Sequence, residues 1–465
     1  MKTIVIGTNH AGTTAVRTLR RLDSKMDITT YDQNDNISFL GCGIALWVGG
    51  EVNDPNGLFY ASPEILAEEN INVKMEHKWI GIDAKKKTVR IKNMKTGEEF
   101  DDNYDKLIVA SGTWPIFPPI TGIQLEGVQI CKNYHHAKVI KAANENKDIK
   151  KVAVVGAGYI GVEIVDAFVK SGKEVSLIDI ADRIMPVYYD NEFTQLVEKT
   201  MKEKGVNLAL EQKVIKFEGK NGKVSKVITD KGEIEVDYVV FSVGVAPQTK
   251  LLKGIIDLDE RGAVKTNEFM QTSNKDIYAI GDCAQVYNCS LKKDTQIALA
   301  TTAVRTGILA AVNIVKGNTL ESPGFTGANG IEVFGWKMAS VGISMESCKR
   351  FGIDAEEIMF KDSDRPEFMS TFKDVHLKII WEKKSRKIIG AQVASVNNHT
   401  EVMYMFALGI QKGLTIDELP LVDIFFLPHF NKPYNFITLA GLEVLGLNYF
   451  KSLFWSINNN FSLIK

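Results

Sequence analysis

Four almost unbroken apolar runs, each ending on a glycine, punctuate the chain: "KTIVIG" to Gly7, "KLIVASG" to Gly112, "KVAVVG" to Gly156 and "YVVFSVG" to Gly244. Short apolar runs bounded by turn residues read as strands buried on both faces, as in parallel sheets. After Gly7 and Gly156 the pattern changes to a helical period, in "AGTTAVRTLRRL" and "GVEIVDAFVKSG". A second strand then follows, "DITTYD" or "EVSLID", closing on Asp32 or Asp179. Strand, glycine turn, helix, strand and acid make a βαβ start, so the chain predicts an α/β protein with two Rossmann-like folds of related plan. The run "DIYAIGDCA" (276–284) predicts a last strand of the first fold, reached only after the second is complete. Beyond "ESPGFTGANG" (321–330) the residues alternate, as in "HLKIIWEKKSRKIIGAQVAS". That pattern predicts antiparallel strands about a turn at Lys383–Lys387, helices near 399–412 and 415–420, and a third, α+β domain. The tail "NYFKSLFWSINNNFSLIK" reads as a packed or frayed terminal segment, with a partner or membrane-surface contact as the alternative.

The second glycine turn carries the full dinucleotide pattern at Gly156, Gly158 and Gly161, with Tyr159 and Ile160 inside it. The first glycine permits the tight turn, the second lets backbone approach a pyrophosphate, and the third lets helix and strand pack closely. The helix N-terminus then faces the phosphates. Asp179 is placed to accept from ribose hydroxyls and to repel a 2′-phosphate, favouring NADH over NADPH, while Arg183 pulls the other way. The first turn reads Gly7, Asn9, Gly12, with asparagine at the middle position, His10 and Ala11 beside it, and Asp32 twenty residues after Gly12. Asp282, after Gly281, falls at a strand's carboxyl end, where such folds bind ligands; it suits a polyol chain, or equally a helix cap.

With 465 residues the chain is too long for one core. A formal net charge of −1 argues against nucleic acid or an anionic membrane as partner. No apolar stretch is long enough to span a bilayer, and the N-terminus lacks the features of a signal peptide. The 5 cysteines match neither a disulfide framework nor a zinc pattern, so a cytoplasmic protein is expected, without a metal. Two dinucleotide folds in one chain imply electron transfer between two cofactors, which makes Cys42, in "SFLGCGIALWVGG", the candidate next carrier.

These segments resemble the pyridine nucleotide-disulfide oxidoreductases, specifically their single-cysteine branch of water-forming NADH oxidases, NADH peroxidases and coenzyme A-disulfide reductases. The resemblance runs over "GTNHAG", "SFLGCGIALW", "YDKLIVASGTWP", "GAGYIGVE", "TSNKDIYAIGDC" and "FFLPHFNKPYN". The cysteine segment and the last of these are most similar to the water-forming oxidases. The resemblance implies an FAD-binding domain over 1–118 and 247–325, an NAD(H)-binding domain over 119–246 and a C-terminal dimerisation domain over 326–465. By it Gly7, Asn9, Ala11, Gly12, Asp32, Ala110, Gly112, Gly281, Asp282, Ala298, Ala300 and Thr301 would serve FAD, with Cys42 close to its ring and His10 close to the sulfur. Gly156, Gly158, Tyr159, Ile160, Gly161, Glu163, Asp179 and Gly244 would serve NADH, with Tyr159 and Glu163 flanking the nicotinamide. The protein would be a homodimer, with His429 approaching the partner subunit's site. From Leu442 onward the chain departs from the pattern.

Disulfide reductases hold a second cysteine a few residues on, where this chain has Ala45, Leu46 and Trp47. A lone thiolate can instead cycle through a sulfenic acid or a mixed disulfide with a small thiol. It would attack peroxide and release one water, and a second NADH would reduce the sulfenic acid and release another. Gly41 and Gly43 are expected to leave room for the flavin and a small oxidant, and the helix after them to favour the thiolate. His10 is expected to donate a hydrogen bond to the peroxide or sulfenate. Peroxidase and coenzyme A-disulfide reductase activities remain alternatives, as does a flavin-bearing sensor. Cys131, Cys283, Cys289 and Cys348 read as structural, His135 and His136 as a solvated pair, and Met403, Met405 and Phe406 as core or dimer contacts.

Overall fold

The computed structural model describes residues 1–447; the tail segment from 448 lies outside the described residues. The chain divides into two compact units. The first comprises Met1–Met185, Glu198–Asn288 and Lys292–Phe325, and the second Pro186–Val197, Cys289–Leu291 and the chain from Thr326.

The first unit holds two parallel five-stranded sheets. In one, β1 (Lys2–Ile6) is central, flanked by β2 (Asp27–Tyr31) and the strand Lys106–Val109. β3 (Asn72–Lys74) and the strand Ile277–Ala279 form its edges, so the late strand does join the early sheet. Residues 3–6 and 28–31 are buried, as strands covered on both faces require. Helix α1 (His10–Leu22) follows the Gly7 turn and packs against the helix Ala300–Lys316. The approach is close enough that a Cβ at Gly307 would lie 2.6 Å from the Ala11 carbonyl oxygen.

Between β2 and β3 lie α2 (Ile44–Val48) and α3 (Pro63–Glu68). Helix α4 (Tyr134–Glu145) is capped by the Asn133 side chain, and Trp47 of α2 stacks on its Tyr134 with ring centroids 5.5 Å apart. The second sheet is built on the strand Lys151–Val155, followed by helix α5 (Tyr159–Lys170), and repeats the plan of the first. The two segments whose sequences echo each other also meet, Thr113–Pro115 pairing antiparallel with Val245–Pro247.

The second unit is a five-stranded antiparallel sheet backed by the helices Val402–Lys412 and Phe436–Val444. Met403 and Phe406 are buried in its core, and Met405 is partly buried against it. The turn predicted at Lys383–Lys387 joins the strands Asp374–Glu382 and Ile388–Ser395. The helix expected over 415–420 is absent. Glu418 accepts from the backbone N–H and hydroxyl of Thr415, closing a turn, and Pro420 sits in a single 3₁₀ turn at Leu419–Leu421. The helix Phe436–Val444 runs through Leu442.

A buried ammonium anchors this unit. Lys378 is 2% exposed and pairs with Glu357 at 2.7 Å, Glu192 at 3.0 Å and Asp190 at 3.2 Å. Asp190 also accepts from the Gln392 amide at 2.8 Å and the Met345 N–H at 3.0 Å. Burial works against the Lys378 charge, but the three carboxylates outweigh it and raise its pKa. Removing one partner of a buried ion pair leaves uncompensated charge and typically costs about 3–5 kcal/mol. Lys378→Met is therefore expected to lower unfolding stability by about 3 kcal/mol in urea titrations. A loss below about 1 kcal/mol would mean that water satisfies the carboxylates instead.

Candidate active site

Each glycine turn depends on a backbone approach that no side chain tolerates. Gly7 has φ 97°, and a Cβ there would stand 2.4 Å from the Ala110 carbonyl oxygen. A Cβ at Gly12 would lie 1.9 Å from the Gly7 oxygen. The second turn repeats this geometry: 2.4 Å from Gly156 (φ 107°) to the Ser242 oxygen, and 1.8 Å from Gly161 to the Gly156 oxygen. Around Gly158 a Cβ would meet nothing within 4 Å, leaving the turn's outer face open for a phosphate to approach the helix N-terminus.

The acids that close the second strands brace these turns. Asp32 is buried and accepts from the Thr8 N–H at 2.7 Å and from the backbone and side chain of Asn34, both at 2.9 Å. Burial raises its pKa against those hydrogen bonds. Asp179 accepts from the Ala157 N–H at 2.5 Å and the Ala181 N–H at 2.8 Å.

A cavity of about 820 Å³ opens at the first turn, within the size range of small-molecule sites. Its walls bring together Gly7, Asn9, His10, Ala11, Asp32, Ala110, Gly112, Gly281 and Asp282 of the predicted cofactor residues. Gly12 packs behind the turn. Ala298, Ala300 and Thr301 stand at the start of the helix Ala300–Lys316, whose Ala303 reaches the wall instead. Gly156, Gly158, Asp179 and Gly244 belong to the second sheet's turns and Tyr159, Ile160, Gly161 and Glu163 to the start of α5; none of them lines this cavity. Sequence reasoning missed Trp79, Thr113 and Lys132 in the wall. The Lys132 ammonium donates to the Thr113 hydroxyl at 3.0 Å, and that hydroxyl donates to the Asp282 carboxylate at 3.3 Å. The glycine motifs give no signal for these residues, because they arrive from separate strands and loops.

The Cys42 segment is tied to the same turn. The Ser38 N–H donates to the Thr8 carbonyl at 2.9 Å, and Ser38 takes a left-handed φ of 58°. Its hydroxyl donates to the Ala61 carbonyl at 2.6 Å and accepts from the Ala61 N–H at 2.9 Å. Gly41–Gly43 forms one 3₁₀ turn leading into α2, and the Cys42 side chain is exposed. Cys42 does not line the large cavity, but Lys132 and Asp282 of its wall, and Glu163 of α5, act on the sulfur electrostatically. The room at Gly43 is already taken by Leu58, whose Cδ2 would lie 2.4 Å from a Cβ there, so that glycine serves packing rather than cofactor access.

The thiolate expected from the helix N-terminus is not favoured. The surrounding protein mass, then Glu163 and Asp282, push the Cys42 thiol above its ordinary value, against a smaller downward pull from its own backbone N–H and Lys132. A five-residue helix offers too little dipole to outweigh two carboxylates. Glu163 itself is raised to about 7, by burial and then by Asp166. His10 stacks on Tyr60, its Nδ1 3.1 Å from the Tyr60 hydroxyl. Burial first, then Lys132, lowers its pKa against Asp282, so it is neutral at pH 7 and able to donate or accept a hydrogen bond.

The remaining candidates take structural positions. Cys283 is buried, its Sγ 3.3 Å from the Ile280 carbonyl oxygen; Cys131 and Cys348 are buried and Cys289 partly so. His135 is exposed and pairs with Asp35 at 2.8 Å. His429 is exposed on the second unit.

Residues 1–307 match the pyridine nucleotide-disulphide oxidoreductase family model, and residues 330–434 match its dimerisation domain. An NADH oxidase of Enterococcus faecalis is 46% identical over 447 residues, covering 96% of this chain and 99% of the relative. One of Streptococcus pyogenes is 46% identical over 454 residues, covering 95% and 99%. The solved water-forming NADH oxidase of Lactobacillus brevis bound to NADH superposes with a TM-score of 0.93 at 36% identity, covering 97% of this chain and 100% of that one.

The two turns are separable by experiment. A methyl group forced into such contacts costs about 1–3 kcal/mol, which as lost affinity is roughly fivefold to 150-fold. Gly12→Ala is expected to yield protein depleted in bound flavin, read from visible absorbance. Gly161→Ala is expected to keep the flavin but bind NADH at least about fivefold more weakly in anaerobic titrations.

Proposed function

The chain belongs to the pyridine nucleotide-disulphide oxidoreductase family, and from that premise we propose that it is an FAD-dependent NADH oxidase that reduces O2 to water. The observation that carries the reading is the lone Cys42 turn tied to the first glycine turn, with a second dinucleotide turn in the same unit. The donor set fits FAD: a glycine turn opening on the helix α1 N-terminus for the pyrophosphate, Asp32 near the ribose, and Asp282 with Thr113 and Lys132 at the far wall. When bound, FAD accepts hydride from NADH and passes the electrons to O2.

The chain's own residues do the rest. Gly156–Gly161 hold the NADH pyrophosphate, and Asp179 braces that turn through the Ala157 N–H. Cys42 supplies the sulfur that cleaves peroxide to water and becomes a sulfenic acid. His10, neutral and oriented by Tyr60, hydrogen-bonds the oxygen on that sulfur. A second NADH restores the thiol. The enzyme works in the cytoplasm, supported by five cysteines of which none is disulfide-bonded. It works as a homodimer through the unit that matches the dimerisation domain, where Leu421, Phe425 and Phe430 are exposed. Among the described residues no helix is long and apolar enough to cross a membrane.

Oxygen uptake per NADH tests the reading. One O2 for every two NADH, without peroxide, is the expected outcome for the wild-type protein. Cys42→Ser is expected to double oxygen uptake per NADH and release hydrogen peroxide while flavin reduction persists. A ratio unchanged by that substitution would remove the sulfenic acid route, and NADH oxidation only on addition of peroxide would mark a peroxidase.

A further inference from the structure

One titratable group near the sulfur lacks a partner. Among the described residues the Glu163 carboxyl makes no hydrogen bond and no ion pair, whereas Asp166, its neighbour on α5, pairs with Lys170 at 3.0 Å. Glu163, Ala167 and Lys170 are spaced i, i+4, i+7 and lie on one face of α5. That face meets α2. Lys170 reaches Glu51 at 2.7 Å, and a Cβ on Gly49 would touch the Ala167 side chain at 3.4 Å. Gly49 closes α2 and Glu51 follows it; α2 itself packs against α5, and the Gly41–Gly43 turn that carries Cys42 leads straight into α2. Glu163 stands one turn nearer the N-terminus of α5 than Ala167, on the helix that packs against α2, and is the first of the charged groups that act on the Cys42 sulfur.

The charged groups acting on Cys42 are Glu163 from α5, Asp282 from the Gly281–Cys283 turn and Lys132 from the segment before α4, and Glu163 acts most strongly of the three. Glu163 in turn feels Asp166.

We propose that Glu163 is the proton carrier for Cys42 in peroxide cleavage, an assignment that rests on the oxidase reading above. The Glu163 carboxylate takes the Cys42 thiol proton, directly or through one water. The thiolate attacks one oxygen of hydrogen peroxide; an S–O bond forms as the O–O bond breaks. Sulfur loses two electrons and the departing oxygen gains them. The departing hydroxide takes the proton from Glu163, so that thiol and peroxide give sulfenic acid and water, and the carboxylate is restored. A carboxyl titrating near 7 populates both of its forms at neutral pH, as a group that accepts and returns a proton requires. The device also accounts for a thiol that is not spontaneously ionised.

Glu163→Gln, as flavin-loaded and thiol-reduced protein, tests this through two rates that move in opposite directions. Loss of the negative charge is expected to lower the pH midpoint of Cys42 alkylation by iodoacetamide and to raise its rate at pH 7 severalfold. Loss of the carrier is expected to slow sulfenic acid formation by added hydrogen peroxide at least about tenfold. The share of NADH electrons leaving as peroxide should rise with it. Glu163→Asp, which keeps the carboxyl, is expected to fall between the two on the peroxide rate. The proposal is overturned if the peroxide rate rises together with alkylation. It is equally overturned if only KM for NADH changes, which would make Glu163 a nicotinamide contact alone. Because peroxide is added directly, these rates report on Glu163 even if turnover with O2 shows the oxidase reading to be wrong.

Discussion

The first unit depends on one steric constraint, met twice. A helix must begin almost on top of the carbonyl of the turn that precedes it, and only a residue without a Cβ allows this. A Cβ at Gly12 or Gly161 would stand 1.9 Å or 1.8 Å from the turn's carbonyl oxygen, well inside any carbon–oxygen contact. The approach exposes the helix N-terminus at the carboxyl edge of the sheet, which is where an anionic cofactor gains most from the unsatisfied N–H groups. A buried or half-buried carboxylate from the next strand then clamps the turn, Asp32 on the Thr8 N–H and Asp179 on the Ala157 N–H. These acids hold the loop, so a substitution made at Asp179 to change nucleotide preference also touches loop geometry.

Around the sulfur the electrostatics run against the simplest chemistry. A thiol that cleaves peroxide is useful as a thiolate, yet Glu163 and Asp282 both disfavour the charge, and Lys132 offsets them only in part. Asp282 stands in the wall of the cofactor cavity, and Glu163 rides on the helix that opens at the nucleotide turn. The sulfur therefore sits where two nucleotide folds each place an acid. A resting thiol is protected from adventitious oxidation, since the thiolate is the reactive form.

The second unit solves a different problem. It holds residues 186–197 against its own sheet through Lys378, one buried cation shared by three acids. Such a cluster holds geometry more than it adds net stability, because the desolvation cost nearly matches the attraction.

The sequence by itself determined the two βαβ starts, the glycines that make their turns, the acids closing the second strands, and Cys42 as a cysteine without a nearby partner. Those features are local: a run of buried residues, a turn and a strand-end acid lie within about thirty residues of each other, and periodicity reports them directly. The strand Ile277–Ala279 was legible for the same reason. The predicted helix over 415–420 does not form, because two apolar positions at helical spacing, Ile416 and Leu419, cannot reveal that Glu418 turns back on Thr415. Only the tertiary structure decided that Thr113 and Lys132 stand with Asp282, that Leu58 fills the space at Gly43, and that the Cys42 thiol is pushed up rather than down. Each of these is a through-space effect between residues separated by tens to hundreds of positions. Charge and volume act by distance in three dimensions, and spacing along a chain carries no record of it.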